Sequence, residues 1–329
     1  MQYTYKHTLY ACYLGYITQA IVNNLAPVLF VIFQQEFNIS FEMIGRLIMI
    51  NFMTQIAVDF ISVKYVDKIG YRKAVVAAHV FCVLGLVCLG TLPQLLPLPY
   101  AGLVISVIIY AIGGGIIEVL ISPIVDSLPG EAKASAMSLL HSFYCWGQMG
   151  VVIISTLFLK IFGSNTWFLL PFIWALIPLY NLFNFLKVPL MPVLSEKEKT
   201  PVFQLLGSKV YIIALLLMLS AGASELAMSQ WSSLFAEKGL KVPKFAGDLL
   251  GPCLFAAFMG IGRTVYGIWG HKINLRTVLK MSGILCIACY MITAFSSVPA
   301  ISLVGCSVCG LAVSLMWPGT LSLTAEHYP

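Results

Sequence analysis

The sequence predicts an all-α polytopic membrane protein, a helical bundle of six spans followed by four, and three observations predict it. Of 329 residues, 60% are hydrophobic and only 10% are charged, where soluble domains carry about 25% charge. The apolar residues gather into ten runs long enough to cross a bilayer as helices. The cations sit mainly in the short segments between those runs and at their ends. The formal net charge of +6 therefore reads as loop charge rather than as a nucleic-acid surface.

The first run, 8–33, is too long for a cleavable signal and too polar inside, with Gln19, Asn23 and Asn24 along it, so it is the first span. Runs 42–64 and 74–92 follow, with Asp59 toward the inner end of the second span and Asp67, Lys68, Arg72 and Lys73 in the turn beyond. The fourth run, 100–122, carries Glu118 after Gly113-Gly114-Gly115 and ends at Pro123. The fifth, 134–160, places His141, Tyr144 and Gln148 on one face at i, i+3 and i+7. Run 166–187 completes an N-terminal half, 1–187, and the longest polar stretch, within 188–208, is the one evident linker. The C-terminal half, 209–329, holds runs 209–236, 248–269, 275–296 and 299–323. Six plus four suggests a six-plus-six plan that stops two helices short.

With the N-terminus in the cytoplasm, 14 of the 19 lysines and arginines fall on the inner side, as the positive-inside rule requires. Both termini are then cytoplasmic, in a cell (inner) membrane. The outer segment with Lys238, Lys241 and Lys244 runs against the rule. Two weak repeats relate the halves: Lys68-Ile69-x-x-Arg72 with Lys272-Ile273-x-x-Arg276, and Gly115 eight residues before Pro123 with Gly310 eight before Pro318. In the second repeat Val313 takes the place of Glu118, so the scaffold does not need an acid there.

The loop Asp67-Lys68-Ile69-Gly70-Tyr71-Arg72-Lys73 and the stretch Gly262-Arg263-x-x-x-Gly267 resemble the signature loops of the major facilitator superfamily, with Val63 where the family has a leading glycine. A finer resemblance is to its fucose-permease branch of sugar–proton symporters. It rests on Asn23-Asn24-Leu25, Phe33-Gln34-Gln35, Glu118-x4-Pro123, His141-Ser142-Phe143-Tyr144 with Gly147, and Gly222-Ala223-Ser224-Glu225 with Trp231. Pro27 stands where that branch has an acid in span one, and His141 where it usually has glutamine. The resemblance implies alternating-access transport of a sugar with proton symport, with Glu118 as the matched acid.

The residues themselves point the same way. A carboxylate at the centre of a spanning helix costs roughly 2.5–3.5 kcal/mol, so Glu118 is expected to face a cavity as a buried acid that carries a proton or binds a polar group. Glu225 is the second such acid, about 24 Å along its helix from Lys209. His141 lies at a depth similar to Glu118 on the next, opposite-running helix, which permits a shared relay. Gln19, Asn23 and Asn24 suit hydroxyl groups, and Trp146 and Trp317 suit apolar ring faces. Tyr144 and Gln148, on the face of His141, and Trp231, beside Glu225, are read as site residues with them. Asp59, Asp67, Lys68, Arg72, Lys73 and Arg263 are read as a cytoplasmic gate of ion pairs.

No P-loop is present, and neither enzyme activity nor a cofactor is expected. The pairs Cys286-x2-Cys289 and Cys306-x2-Cys309 have zinc-ribbon spacing but lie inside apolar runs, so no metal is expected either. The partners implied are a small solute, protons and the bilayer, with the chain acting as a monomer. The alternatives are proton-driven efflux of amphipathic compounds and a non-transporting membrane sensor or scaffold.

Overall fold

The computed structural model describes residues 3–129, 133–191, 206–270 and 274–325. Ten spans appear among the described residues. The chain divides into two compact units, Met1–Val193 and Leu194–Pro329. Most of the 188–208 linker and the start of the 271–276 repeat lie outside the described residues.

The first unit is built from α1 (Tyr5–Phe37), α2 (Phe41–Ile69), α3 (Tyr71–Leu95), α4 (Pro99–Ser127), α5 (Lys133–Phe162) and α6 (Leu169–Lys187). Helix α1 is buried along nearly its whole length. It packs on α4, α5 and α6, while α4 packs closely on α3 and α2. Ser40 caps α2 by accepting from the Met43 N–H at 3.2 Å. Gly70, at φ 86°, lets α3 begin one residue after α2 ends.

One buried polar pin holds α3, α6 and α1 together. Nδ1 of fully buried His79 lies 2.7 Å from the Val75 carbonyl, which can only accept, so that nitrogen carries the proton. Nε2 is then the acceptor for the Asn181 amide at 2.9 Å, and the same amide nitrogen donates to the Ala11 carbonyl at 3.0 Å.

The three successive glycines of α4 explain how four helices converge. A Cβ on Gly113 would stand 2.5 Å from the Ala78 carbonyl oxygen on α3. One on Gly114 would stand 3.0 Å from Gln19 Oε1 on α1, and one on Gly115 would stand 3.1 Å from the Gln55 backbone on α2. Each glycine admits a different neighbour.

The second unit contains α7 (Lys209–Leu234), α8 (Lys244–Asp248), α9 (Leu254–Trp269), α10 (Leu275–Phe295), α11 (Pro299–Val313) and α12 (Met316–Ala325). Two spans differ from the uniform helices the sequence predicts. Span seven ends in a π turn, Phe235–Gly239, and span eight begins with another, Leu249–Cys253. The two spans cross closely there, at Gly251 against Ser232 and Gly247 against Ala236.

Span ten, expected as one helix over 299–323, is broken between α11 and α12. Pro318 has no N–H for the carbonyl of Ser314, four residues earlier. Arg263 supplies the missing donor through Nε at 3.1 Å. The helical ladder resumes with Gly319 donating to Leu315. The glycine repeat has a packing counterpart, since Gly310 lies against the Phe255 backbone of α9 as Gly115 lies against Gln55 of α2.

Candidate functional site

In the first unit a chain of side-chain amides joins α4, α1 and α2. Gln19 Nε2 donates to Glu118 Oε2 at 3.1 Å and to Gln55 Oε1 at 3.1 Å. Gln55 Nε2 donates to Asn23 Oδ1 at 2.8 Å, and Asn51 Nδ2 donates to the same oxygen at 3.2 Å. Gln19, Asn23, Asn51 and Gln55 are all buried. Amides at i and i+4 on each of two apolar helices line up one turn apart, which is how Gln19 and Asn23 meet Asn51 and Gln55.

Glu118 differs from the sequence expectation in one respect: it is exposed rather than buried. Its carboxylate accepts from Gln19 Nε2. Ser122, one helical turn further along α4, shares a hydrogen bond of 2.9 Å with the Tyr16 hydroxyl of α1.

Helix α5 closes this cluster. The His141 ring stands edge-on to Tyr16 at 5.1 Å between centroids. Asn24 donates to the Tyr144 hydroxyl at 3.3 Å and to its own helix at Ala20. Gln148 is 1% exposed, and neither amide atom has a hydrogen-bond partner. Gln19 Oε1 and Asn51 Oδ1 are likewise buried and unpaired. A buried polar group left unmade costs about 1–3 kcal/mol.

The second unit has its own polar centre. Glu225 Oε2 pairs with Arg263 at 2.9 Å, and the arginine side chain is only 5% exposed. The same guanidinium caps the broken end of α11 through the Ser314 carbonyl, where the helix dipole is negative. Trp317, just past the break, lies 3.5 Å from where a Gly222 Cβ would be, and Tyr290 donates to the Ser224 carbonyl at 2.7 Å. Trp231 sits half-buried on α7. Arg263, predicted as a gate cation, is thus placed beside Glu225.

The remaining gate residues divide. Arg72 donates to the backbone carbonyls of Phe185 and Val188, both at 2.7 Å, and so caps the end of α6. Lys68 and Lys73 are exposed. Asp59 Oδ1 is buried without a partner. The side chains of Asp67 and Lys64 lie outside the described residues.

Sequence reasoning missed Tyr16, Ser122, Asn51 and Gln55. Only the last two left a signal, as amides four residues apart in an otherwise apolar run.

Residues 12–329 match the family model described as Major Facilitator Superfamily. Among solved structures, the chain is similar to a D-xylose–proton symporter, with TM-score 0.78 and 14% identity over 97% of this chain and 82% of that one. It is similar to the transporter FucP in the outward conformation, with TM-score 0.70 and 16% identity over 96% and 83% of the two chains. The E. coli fucose:proton symporter FucP gives TM-score 0.70 and 16% identity over 98% and 84%. At these identities the likeness is one of fold. A search of curated proteins returns no match.

Proposed function

The chain belongs to the Major Facilitator Superfamily, and we propose that it is a secondary transporter that moves a sugar or sugar-like solute by alternating access, coupled to protons. One observation carries this reading: an exposed carboxylate, Glu118, bonded to a buried amide chain in which Gln19 Oε1 and Asn51 Oδ1 have no donors. Unpaired amide oxygens beside a carboxylate favour a ligand rich in O–H donors. No cation lies in the apolar runs of spans one or four to attract an acid. Gln148, with both amide atoms free, offers a donor and an acceptor side by side, which suits two adjacent hydroxyls. The fold's likeness to sugar:proton symporters agrees with this chemistry.

In this reading Glu118 takes and releases the coupled proton, and Asn24, Tyr144 and Gln148 hold the solute. Glu225 and Arg263 form a neutral pair that shapes the other half's site around Trp317 and Trp231. Loading of the carboxyl by one proton removes its charge, which lowers the cost of closing the site against water. The protein is placed in the cell membrane as a monomer with cytoplasmic termini.

The test uses the purified full-length protein in liposomes with a panel of labelled monosaccharides and polyols. Uptake of at least one is expected to rise with an inward proton gradient. Glu118→Gln is expected to abolish gradient-driven accumulation, a loss of 10-fold or more in the style of a removed coupling acid, roughly 1.4 kcal/mol or above, while exchange across equal solute concentrations continues. If Glu118→Gln still accumulates solute in response to the gradient, the coupling role is wrong. If no polyol moves, the solute class is wrong.

A further inference from the structure

The amide chain has two self-consistent polarities, and the choice between them is set by one proton. As it stands, Gln19 directs its NH2 group at both the Glu118 carboxylate and Gln55 Oε1. Asn23 Oδ1 in turn collects Gln55 and Asn51. This arrangement leaves Gln19 Oε1 and Asn51 Oδ1 buried without donors. A carboxylate accepts only, so it fixes the orientation of Gln19.

Suppose Glu118 takes up a proton and its Oε2 becomes a donor. Gln19 then gains by turning its amide so that Oε1 accepts from Glu118. That oxygen now faces Gln55 Oε1, so Gln55 must turn and offer Nε2. Asn23 and Asn51 follow for the same reason. The end state is Glu118 O–H to Gln19 Oε1, Gln55 Nε2 to Gln19 Oε1, Asn23 Nδ2 to Gln55 Oε1, and Asn23 Nδ2 to Asn51 Oδ1. All four contacts survive, and the buried unpaired groups become the amide nitrogens of Gln19 and Asn51 in place of their oxygens. The outer ends of the chain at Gln19 and Asn51 then present N–H groups where they had presented oxygens.

We infer that Gln19, Gln55, Asn23 and Asn51 form a bistable relay that reports the protonation of Glu118 from α4 across α1 to α2, with Gln55 and Asn51 as positioning residues. This rests on the reading of Glu118 as the proton acceptor. Its consequence is that the ends of the chain change from acceptor to donor as the proton arrives. Recognition of the solute's hydroxyls and proton binding are then linked through one set of bonds, without contact between solute and Glu118.

Other titratable groups border the relay. Tyr16 on α1 is bonded to Ser122, and His141 and Tyr144 on α5 stand against Tyr16 and Asn24. Asp59 follows Gln55 by one turn on α2, with Oδ1 buried and unpaired. His79 on α3 is bonded to Val75 and Asn181. The lysines and arginines of these helices lie toward their ends. Asp59→Asn and His141→Gln are therefore the controls for which group titrates.

The experiment is infrared difference spectroscopy of the full-length protein during a pH titration, with isotopically labelled glutamine or asparagine. The carboxyl band assigned by Glu118→Gln is expected to titrate together with glutamine and asparagine side-chain amide bands. In Gln55→Met, Glu118 and the glutamine band are expected to titrate still, while the asparagine change is lost. If Gln55→Met does not fold, Asn51→Leu is used, and the asparagine change is expected to shrink while the glutamine change stays whole.

Titration of Glu118 with no asparagine change in the native protein overturns the relay and leaves the transport reading intact. An asparagine change that persists in full in Gln55→Met, or in Asn51→Leu, also overturns it. Absence of any Glu118 titration overturns the relay and the proton-coupling reading together.

Discussion

At the scale of single residues, the two membrane-embedded acids hold opposite positions. Glu118 is exposed and accepts from a neutral amide, whereas Glu225 is tied to a buried arginine. A charge that must change during a cycle needs a weak, reversible partner, and one that must stay needs a strong one. Removing one member of a buried ion pair costs about 3–5 kcal/mol because the other charge is left behind. Arg263→Leu is expected to lower the thermal unfolding temperature of the purified protein more than Glu225→Gln, since Arg263 also satisfies the Ser314 carbonyl. The double substitution is expected to be no worse than Arg263→Leu alone, and strictly additive losses would show that the pair is not coupled. The cationic segment 238–244, which runs against the positive-inside expectation, also has partners at this scale. Lys244 is paired with fully buried Asp248 at 3.0 Å, and Glu237 lies in the field of Lys238 and Lys244.

At the scale of elements, α4 is organised by its glycines. Gly113 meets the backbone of α3, where nothing can give, while Gly114 meets the far end of the Gln19 side chain, which can. Gly113→Ala is expected to abolish folded protein in the membrane fraction. Gly114→Ala is expected to leave the folded yield within about 2-fold, because a yielding contact costs less than about 1 kcal/mol, and to alter the pH profile of transport by pressing on Gln19. Equal loss of folded protein in both, measured by size-exclusion chromatography in detergent, would show that the Gln19 contact is as rigid as the α3 contact. The prolines of spans four and ten recur in sequence, yet α4 runs on through Pro123 while span ten breaks before Pro318. The difference lies in a partner from another helix: Arg263 reaches the carbonyl that Pro318 leaves free.

At the scale of the whole molecule, the charge bias predicts which side of the bilayer each turn occupies. Lys68 and Leu98 lie in turns that the positive-inside rule assigns to opposite faces. A cysteine placed at Leu98 is expected to react with an impermeant maleimide on intact cells, and one at Lys68 only after the membrane is opened. Eight of the nine native cysteines are buried, which keeps the background low. Reaction of Lys68→Cys on intact cells would invert the topology.

Much of this protein is legible in the sequence because a bilayer makes composition decisive. Hydrocarbon offers no hydrogen bonds, so ten apolar runs had to become ten helices, and Glu118 had to find something other than lipid. The position of Glu225 in an apolar run was equally plain. What only the tertiary structure decided is partnership. Nothing local in Asn51 or Gln55 says that they meet Asn23 and Gln19, because that depends on which faces of α1 and α2 oppose each other. Nothing local in Arg263 says that it caps a broken helix and pairs with Glu225. Hydropathy is a property of one segment and survives any packing, whereas a hydrogen bond belongs to two segments and exists only once they are packed.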